Sequence, residues 1–277
     1  MNLTEMHSIA ANTLEYFIQT MPDAPFTVDD VVIEFAPKAK MAERARALCA
    51  QYAPKKTIND TQARELTEDI DANALIGKEK SAVIARINSK RSEQAWREVF
   101  FHEFMHIFCA KLEMDGEHFI DIYGSGTTPE NPNMTPAERM YDGVLVAGYA
   151  VWSEFIAQYY TLKHTETRRP TVDEVSVYIN KLLYSVGRLD NKGDKHALSI
   201  ACARLLTCTN AEETVSMLEE PDDEMPTEQR AFLSCLFLLH EHQQDERLWE
   251  IYEEFVADLG TRYAFFRVAN SNLISRT

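Results

Sequence analysis

The stretch VFFHEFMHIFCA, Val99 to Ala110, sets three ionisable side chains, His102, Glu103 and His106, among aromatic, aliphatic and sulfur-containing residues. It lies in a longer segment, SEQAWREVFFHEFMHIFCAKLEMDG, that has no Gly or Pro before Gly116 and opens on Ser92, a side chain suited to an N-cap. The spacing predicts one helix, with the dodecapeptide mid-helix and in the core. Residues four apart share a helix face, so His102 and His106 can present two imidazoles to one ion. Glu103 is rotated by about 100° from His102, which suits it to hold a water and accept its proton rather than to ligate the same ion. Burying such groups without partners costs several kcal/mol per charge. A metal ion removes that cost, and a hydrogen-bonded network of the three is the alternative.

A catalytic zinc site needs a third protein ligand and an open position. Glu154, in AVWSEFIAQYY, shares a helix face with Ala150, Val151, Ala157 and Gln158, so its carboxylate projects from small and apolar surroundings. The alternative is a surface stripe extended by Gln158 and Thr161. His118 and Asp121 follow Gly116 and read as loop residues, and Asp142 precedes a glycine-interrupted stretch. Tyr149, Tyr159, Tyr160 and His164 are the polar groups nearest Glu154 in sequence that could stabilise an oxyanion, with packing as the competing role for each Tyr.

Outward from this helix, the chain divides by its start and stop signals into a helical region over 1–60, a core over 61–165 and a helical region over 166–277. An amphipathic helix is predicted from about Thr4 to Thr20, ended by MPDAP, and a second from Lys38 to Tyr52. VVIEF between them fits either a short strand or a helical turn. NALIGKEKSAVIARINSK reads as a hairpin around GKEK, with β-branched Val83, Ile84 and Ile87 in its second arm. The loop Tyr123 to Asn133 ends at a helix start formed by Thr135, Pro136 and Glu138. That helix is expected to reach His164, with a break near Gly143 or Gly148. A second capping box, Thr171 with Glu174, opens a series of helices: Lys195 to Thr207, Ala211 to Leu218, Thr227 to His242, and Glu246 to Leu259.

The 277 residues are 45% hydrophobic, enough for a sizeable core, and the formal charge of −16 speaks against a nucleic-acid or anionic-membrane partner. No apolar run approaches a membrane span, and the N-terminus lacks a secretory pattern, so a cytoplasmic protein is expected. The five cysteines, Cys49, Cys109, Cys202, Cys208 and Cys235, lack CxxC spacing and read as buried thiols.

From about Asn73 to Lys163 the sequence resembles zinc metallopeptidases of the gluzincin type, which carry HExxH on one helix and a glutamate ligand on a later one. His102, Glu103 and His106 match the motif. Glu154 in WSEFIAQ matches the later glutamate, and Ala157 fits the ExxA-like pattern found there. In such families a hairpin or small sheet precedes the active-site helix and its edge strand aligns a peptide substrate; SAVIARIN resembles that strand. Lys111 to Gly116 holds no third histidine, so the metzincin pattern HExxHxxGxxH is absent. The chain is also similar to ImmA/IrrE-like regulatory peptidases in its short helical core, although these place the glutamate closer to HExxH.

The resemblance implies a zincin-like core; with the helical patterns on either side of it, the chain reads as a mainly α (α+β) fold with an all-helical C-terminal region. The resemblance also implies Zn2+ held by His102, His106 and Glu154, with Glu103 as general base in peptide-bond hydrolysis of a peptide or protein substrate. A different class of function is a catalytically silent helical interaction or regulatory protein that retains the zincin-like helix. In that reading apolar stripes such as AFLSCLFLLH would serve a regulatory protein partner.

Overall fold

Three strands and a set of helices make up the described residues of the chain in a computed structural model. It describes residues 1–54, 57–68, 70–88, 90–114, 136–165, 169–177, 191–216, 237, 240, 241 and 248–251, of which 136–148, 191–198, 214, 215, 250 and 251 are described by backbone alone. Two compact units emerge: Met1–Glu113 with His164–Glu166, and Met114–Lys163 with Thr167–Thr277. The described residues are mainly helical with one small sheet, the mainly α (α+β) class expected.

The first unit begins with α1 (Leu3–Thr20), whose N-cap Asn2 and Glu5 close a reciprocal capping box. VVIEF is a strand: β1 (Val31–Ala36). There follow α2 (Met41–Tyr52), entered through a 3-10 turn at Lys38–Lys40, and α3 (Asp60–Glu68), a short helix that the sequence pattern did not predict. The hairpin β2 (Ala72–Leu75) and β3 (Ser81–Arg86) leads into α4 (Glu93–Lys111), where Ser92 Oγ accepts the Ala95 N–H as the expected N-cap.

The strand order is β1-β3-β2, with β1 parallel and β2 antiparallel to β3. SAVIARIN is therefore the central strand and not the edge strand expected of it. Its residues Ser81 to Ala85 are buried on both faces, which explains its near-continuous apolar run.

Register sorts the side chains between the two faces. On one, Ala36, Ala82, Ile84 and Leu75 meet Met41, Ala45, Leu48 and Cys49 of α2 and Leu66 of α3. Glu34 on this face takes a two-bond pairing from Arg44, at 2.5 and 2.9 Å. On the other, Phe35 rests against Trp96 and Phe100 of α4, with ring centroids 6.0 and 5.7 Å away. Phe17 of α1 packs on Phe101, Phe104 and Phe108, so α1 and α4 share an aromatic core.

The turn of the hairpin is pinned at two points. A Cβ on Gly77 would lie 2.1 Å from the Tyr52 carbonyl oxygen, so only glycine fits against the end of α2. Lys111 Nζ, at the end of α4, donates to the carbonyls of Gly77, Lys78 and Glu79 at 3.0, 2.7 and 3.1 Å. Burial pushes the Lys111 ammonium below its ordinary pKa, opposed by the nearby Asp30 and Glu79 charges.

The second unit contains most of α5 (Pro136–Thr165), then a helical stretch over 172–177, α6 (Asn191–Thr207) and α7 (Ala211–Ser216). Helix α5 starts at Pro136 as expected but runs unbroken through Gly143 and Gly148. Each glycine costs about 1 kcal/mol in a helix, a penalty that 30 residues of cooperative hydrogen bonding absorb. The Thr171–Glu174 capping box is present. Ser199 Oγ of α6 donates to the Val151 carbonyl at 2.9 Å, and the Leu248 N–H donates to the Tyr160 hydroxyl oxygen at 3.1 Å. Cys49, Cys109, Cys202 and Cys208 are buried, as expected of apolar helical positions, while Cys235 lies outside the described residues. The capping residue Thr135, the side chain of Glu138, and most of the last two expected helices also lie outside them.

Candidate metal centre

Helix α4 is buried almost all round, through Trp96, Phe100, Phe101, Phe104, Met105, Ile107, Phe108 and Cys109. Its ionisable residues occupy the remaining stripe: His102, Glu103 and His106 are half-buried, between Val99 and Ala110 of the same class. The expectation that the dodecapeptide lies in the core thus holds for its aromatic residues, Met105, Ile107 and Cys109 and fails for its polar ones. The aromatic residues fix the helix, and the polar stripe is left with partial access to solvent.

The one-turn spacing brings the two imidazoles together. His102 Nε2 and His106 Nε2 lie 3.1 Å apart, with the rings nearly perpendicular at 83°. Two nitrogens bound to one tetrahedral zinc at 2.0–2.1 Å would be separated by about 3.3 Å. The observed pair is therefore already spaced like one edge of a coordination tetrahedron. One ligand atom each from His102, His106 and Glu154 lies within 4.8 Å of the others, and all three residues are half-buried. This His-His-Glu group could hold a metal ion. Its donors are two imidazoles and a carboxylate, without the thiolates that dominate closed structural zinc sites.

Glu103 is held from the sheet. The main-chain N–H of Ala74 in β2 donates to Glu103 Oε2 at 2.7 Å. Ala72 and Ala74 share the sheet face of Val83, Ala85 and Phe35, the face against which α4 packs, and their small side chains allow a close approach there. The carbonyl of Ala74 receives Asn73 Nδ2 at 3.0 Å. Neither Ala74 nor Asn73 carries a motif that reveals these bonds in the sequence, because both come from strand pairing and helix docking.

The candidate oxyanion donors separate by environment. Tyr160 is 2% exposed, its hydroxyl oxygen receives the Leu248 N–H, and its ring lies 5.3 Å from that of Trp249, a packing role. Burial raises the Tyr159 hydroxyl above its ordinary pKa, so it is neutral at neutral pH. Tyr149 is half-buried and donates to the Met114 carbonyl at 3.3 Å. The His164 ring stacks on Phe101, and the carbonyls of His164 and Thr165 at the end of α5 accept from Tyr16 Oη and Gln94 Nε2. His118, Asp121 and the loop Tyr123 to Asn133 lie outside the described residues, as does the side chain of Asp142.

Compared with protein-family models, with curated proteins and with solved structures, the chain matches none. Its function must therefore be argued from the site. Among the described residues, no helix is long and apolar enough to cross a membrane.

Proposed function

We propose that this chain is a zinc-dependent metallopeptidase with a zincin-like core of the gluzincin type, acting on a peptide or protein substrate in the cytoplasm. The observation that carries this reading is the convergence of His102, His106 and Glu154 within 4.8 Å, beside a carboxylate, Glu103, on the same helical stripe. A zinc ion, when bound, supplies Lewis acidity, lowering the pKa of water toward neutrality and polarising the carbonyl to be cleaved.

The protein side chains divide the remaining work. His102, His106 and Glu154 fix the ion. Glu103 takes a proton from the attacking water and delivers it to the nitrogen of the leaving amine. Both transfers use one carboxylate, which suits a residue beside the ligand pair on the same stripe and rotated by about 100° from His102.

Elemental mass spectrometry of the purified chain beside Glu154→Ala and His106→Ala tests the reading. The expected result is about one zinc per wild-type chain, lost in both variants. A peptidase screen then follows, with Glu103→Ala retaining zinc but losing at least about a hundredfold in kcat. A wild-type chain that takes up no metal in zinc-supplemented medium would overturn the proposal in favour of a catalytically silent helical protein.

A further inference from the structure

We infer that the main-chain amide of Ala74, on the edge of β2, is the positioning group of Glu103, so that the sheet sets the orientation of the base. The inference rests on the reading of Glu103 as a general base. Strand geometry supplies its first support. The Arg86 N–H donates to the Asp71 carbonyl at 2.7 Å, making these two a hydrogen-bonded pair beyond the end of the β2–β3 ladder. Alternation along an antiparallel pair then turns the main-chain groups of Asn73 and Leu75 toward β3 and those of Ala72 and Ala74 outward. Among the described residues the Ala74 N–H is thus an edge group with no strand to pair with, and Glu103 Oε2 accepts from it at 2.7 Å.

The second support is the way the edge is built around this bond. Asn73 Nδ2 donates to the Ala74 carbonyl, so the protein occupies both outward groups of this residue with its own side chains. Lys111 ties the turn after β2 to the end of α4, which limits sliding of the hairpin along the helix. Strand and helix are therefore fastened two turns of helix beyond Glu103 as well as at Glu103 itself. A Glu side chain has three rotatable bonds, and α4 alone fixes only the position of its Cα. The amide selects one carboxylate orientation from those rotamers. Orientation of this kind is worth a large factor in a proton transfer, because misplacement by about 1 Å can cost a hundredfold in rate.

Two measurements on the full-length chain test this. The first is amide hydrogen exchange at Ala74, which requires neither zinc nor turnover. Glu103→Ala should speed exchange at Ala74 by tenfold or more, while Asn73, bonded into the ladder, keeps its rate. Glu103→Gln, whose amide oxygen still accepts, should leave Ala74 protected. The second replaces Ala74 by lactic acid, which turns the donating amide into an ester and keeps the methyl group. This chain should retain its zinc and its KM but lose tenfold or more in kcat. Unchanged exchange at Ala74 in Glu103→Ala, or wild-type kcat in the ester chain, would overturn the inference while leaving the zinc site untouched. An unmodified chain without zinc refutes the peptidase reading instead and removes the base role from Glu103, a result distinct from any exchange rate.

Discussion

The two faces of the sheet are built from different materials. Toward α2 and α3 the core is aliphatic and small, with Ala36, Met41, Ala45, Leu48, Leu66, Leu75, Ala82 and Ile84. Toward α1 and α4 it is aromatic, with Phe17 at 4.8 to 6.1 Å from the rings of Phe101, Phe104 and Phe108, and Phe35 against Trp96 and Phe100. The aromatic face carries the candidate metal helix. Large rings have few rotamers and contact several neighbours each, so they fix the rotation of α4 about its axis, which decides whether His102 and His106 leave the core. The aliphatic face contributes stability without touching the helix that carries His102, Glu103 and His106.

The comparison breaks most sharply at Phe17. Phe17→Ala should lower stability by about 3–5 kcal/mol in urea unfolding, and should also weaken zinc binding by the folded chain, because α4 is freed to rotate. Leu48→Ala, on the aliphatic face, should cost about 2–4 kcal/mol and leave the zinc stoichiometry of folded protein unchanged. Equal loss of zinc in the two variants would show that the faces do not differ in this way. Lys111→Met, which removes the donor to three turn carbonyls, should cost about 1 kcal/mol and accelerate amide exchange in the β2–β3 turn.

The smallest effect is expected at Asp30, in the turn just before β1. The Thr27 backbone N–H and hydroxyl donate to Asp30 and hold its carboxyl below the usual carboxylate range. Below its ordinary value the unfolded chain binds the proton first, so this contribution is present at neutral pH and is lost as pH falls through the folded pKa. Asp30→Asn should lower stability by about 0.5 kcal/mol at neutral pH. The gap from wild type should close in acid, as followed by thermal unfolding across the carboxylate range.

Helix α4 was legible because its signals are local. Ser92 caps it, its interior has no breaker, and the His102–His106 spacing follows from 3.6 residues per turn. The start of α5 at Pro136 was legible for the same reason. The role of β3 was not, because its neighbours are chosen by pairing with Val31–Ala36, distant in sequence, and nothing in SAVIARIN distinguishes a central strand from an edge one except its buried residues on both faces. Helix α3 is not legible in the sequence because a single buried residue, Leu66, anchors it and leaves almost no apolar period. At the site, the imidazole pair was visible in the sequence. The bond from Ala74 to Glu103 was not, since a main-chain donor leaves no trace in residue identity.

The parallel pairing of β1 with β3 also bears on how the chain is made. Val31 pairs with Ser81, fifty positions later. At synthesis rates of about 5–20 residues per second, β1 leaves the ribosome roughly 3–10 s before the strand it will pair with. Through that interval α1 and α2 can form, but the sheet cannot. The hairpin closes within microseconds of its own emergence, so the last partner to be translated supplies the template on which the first strand docks. A nascent chain arrested before Ser81 would present VVIEF to solvent or to a chaperone, and one arrested after α4 would not.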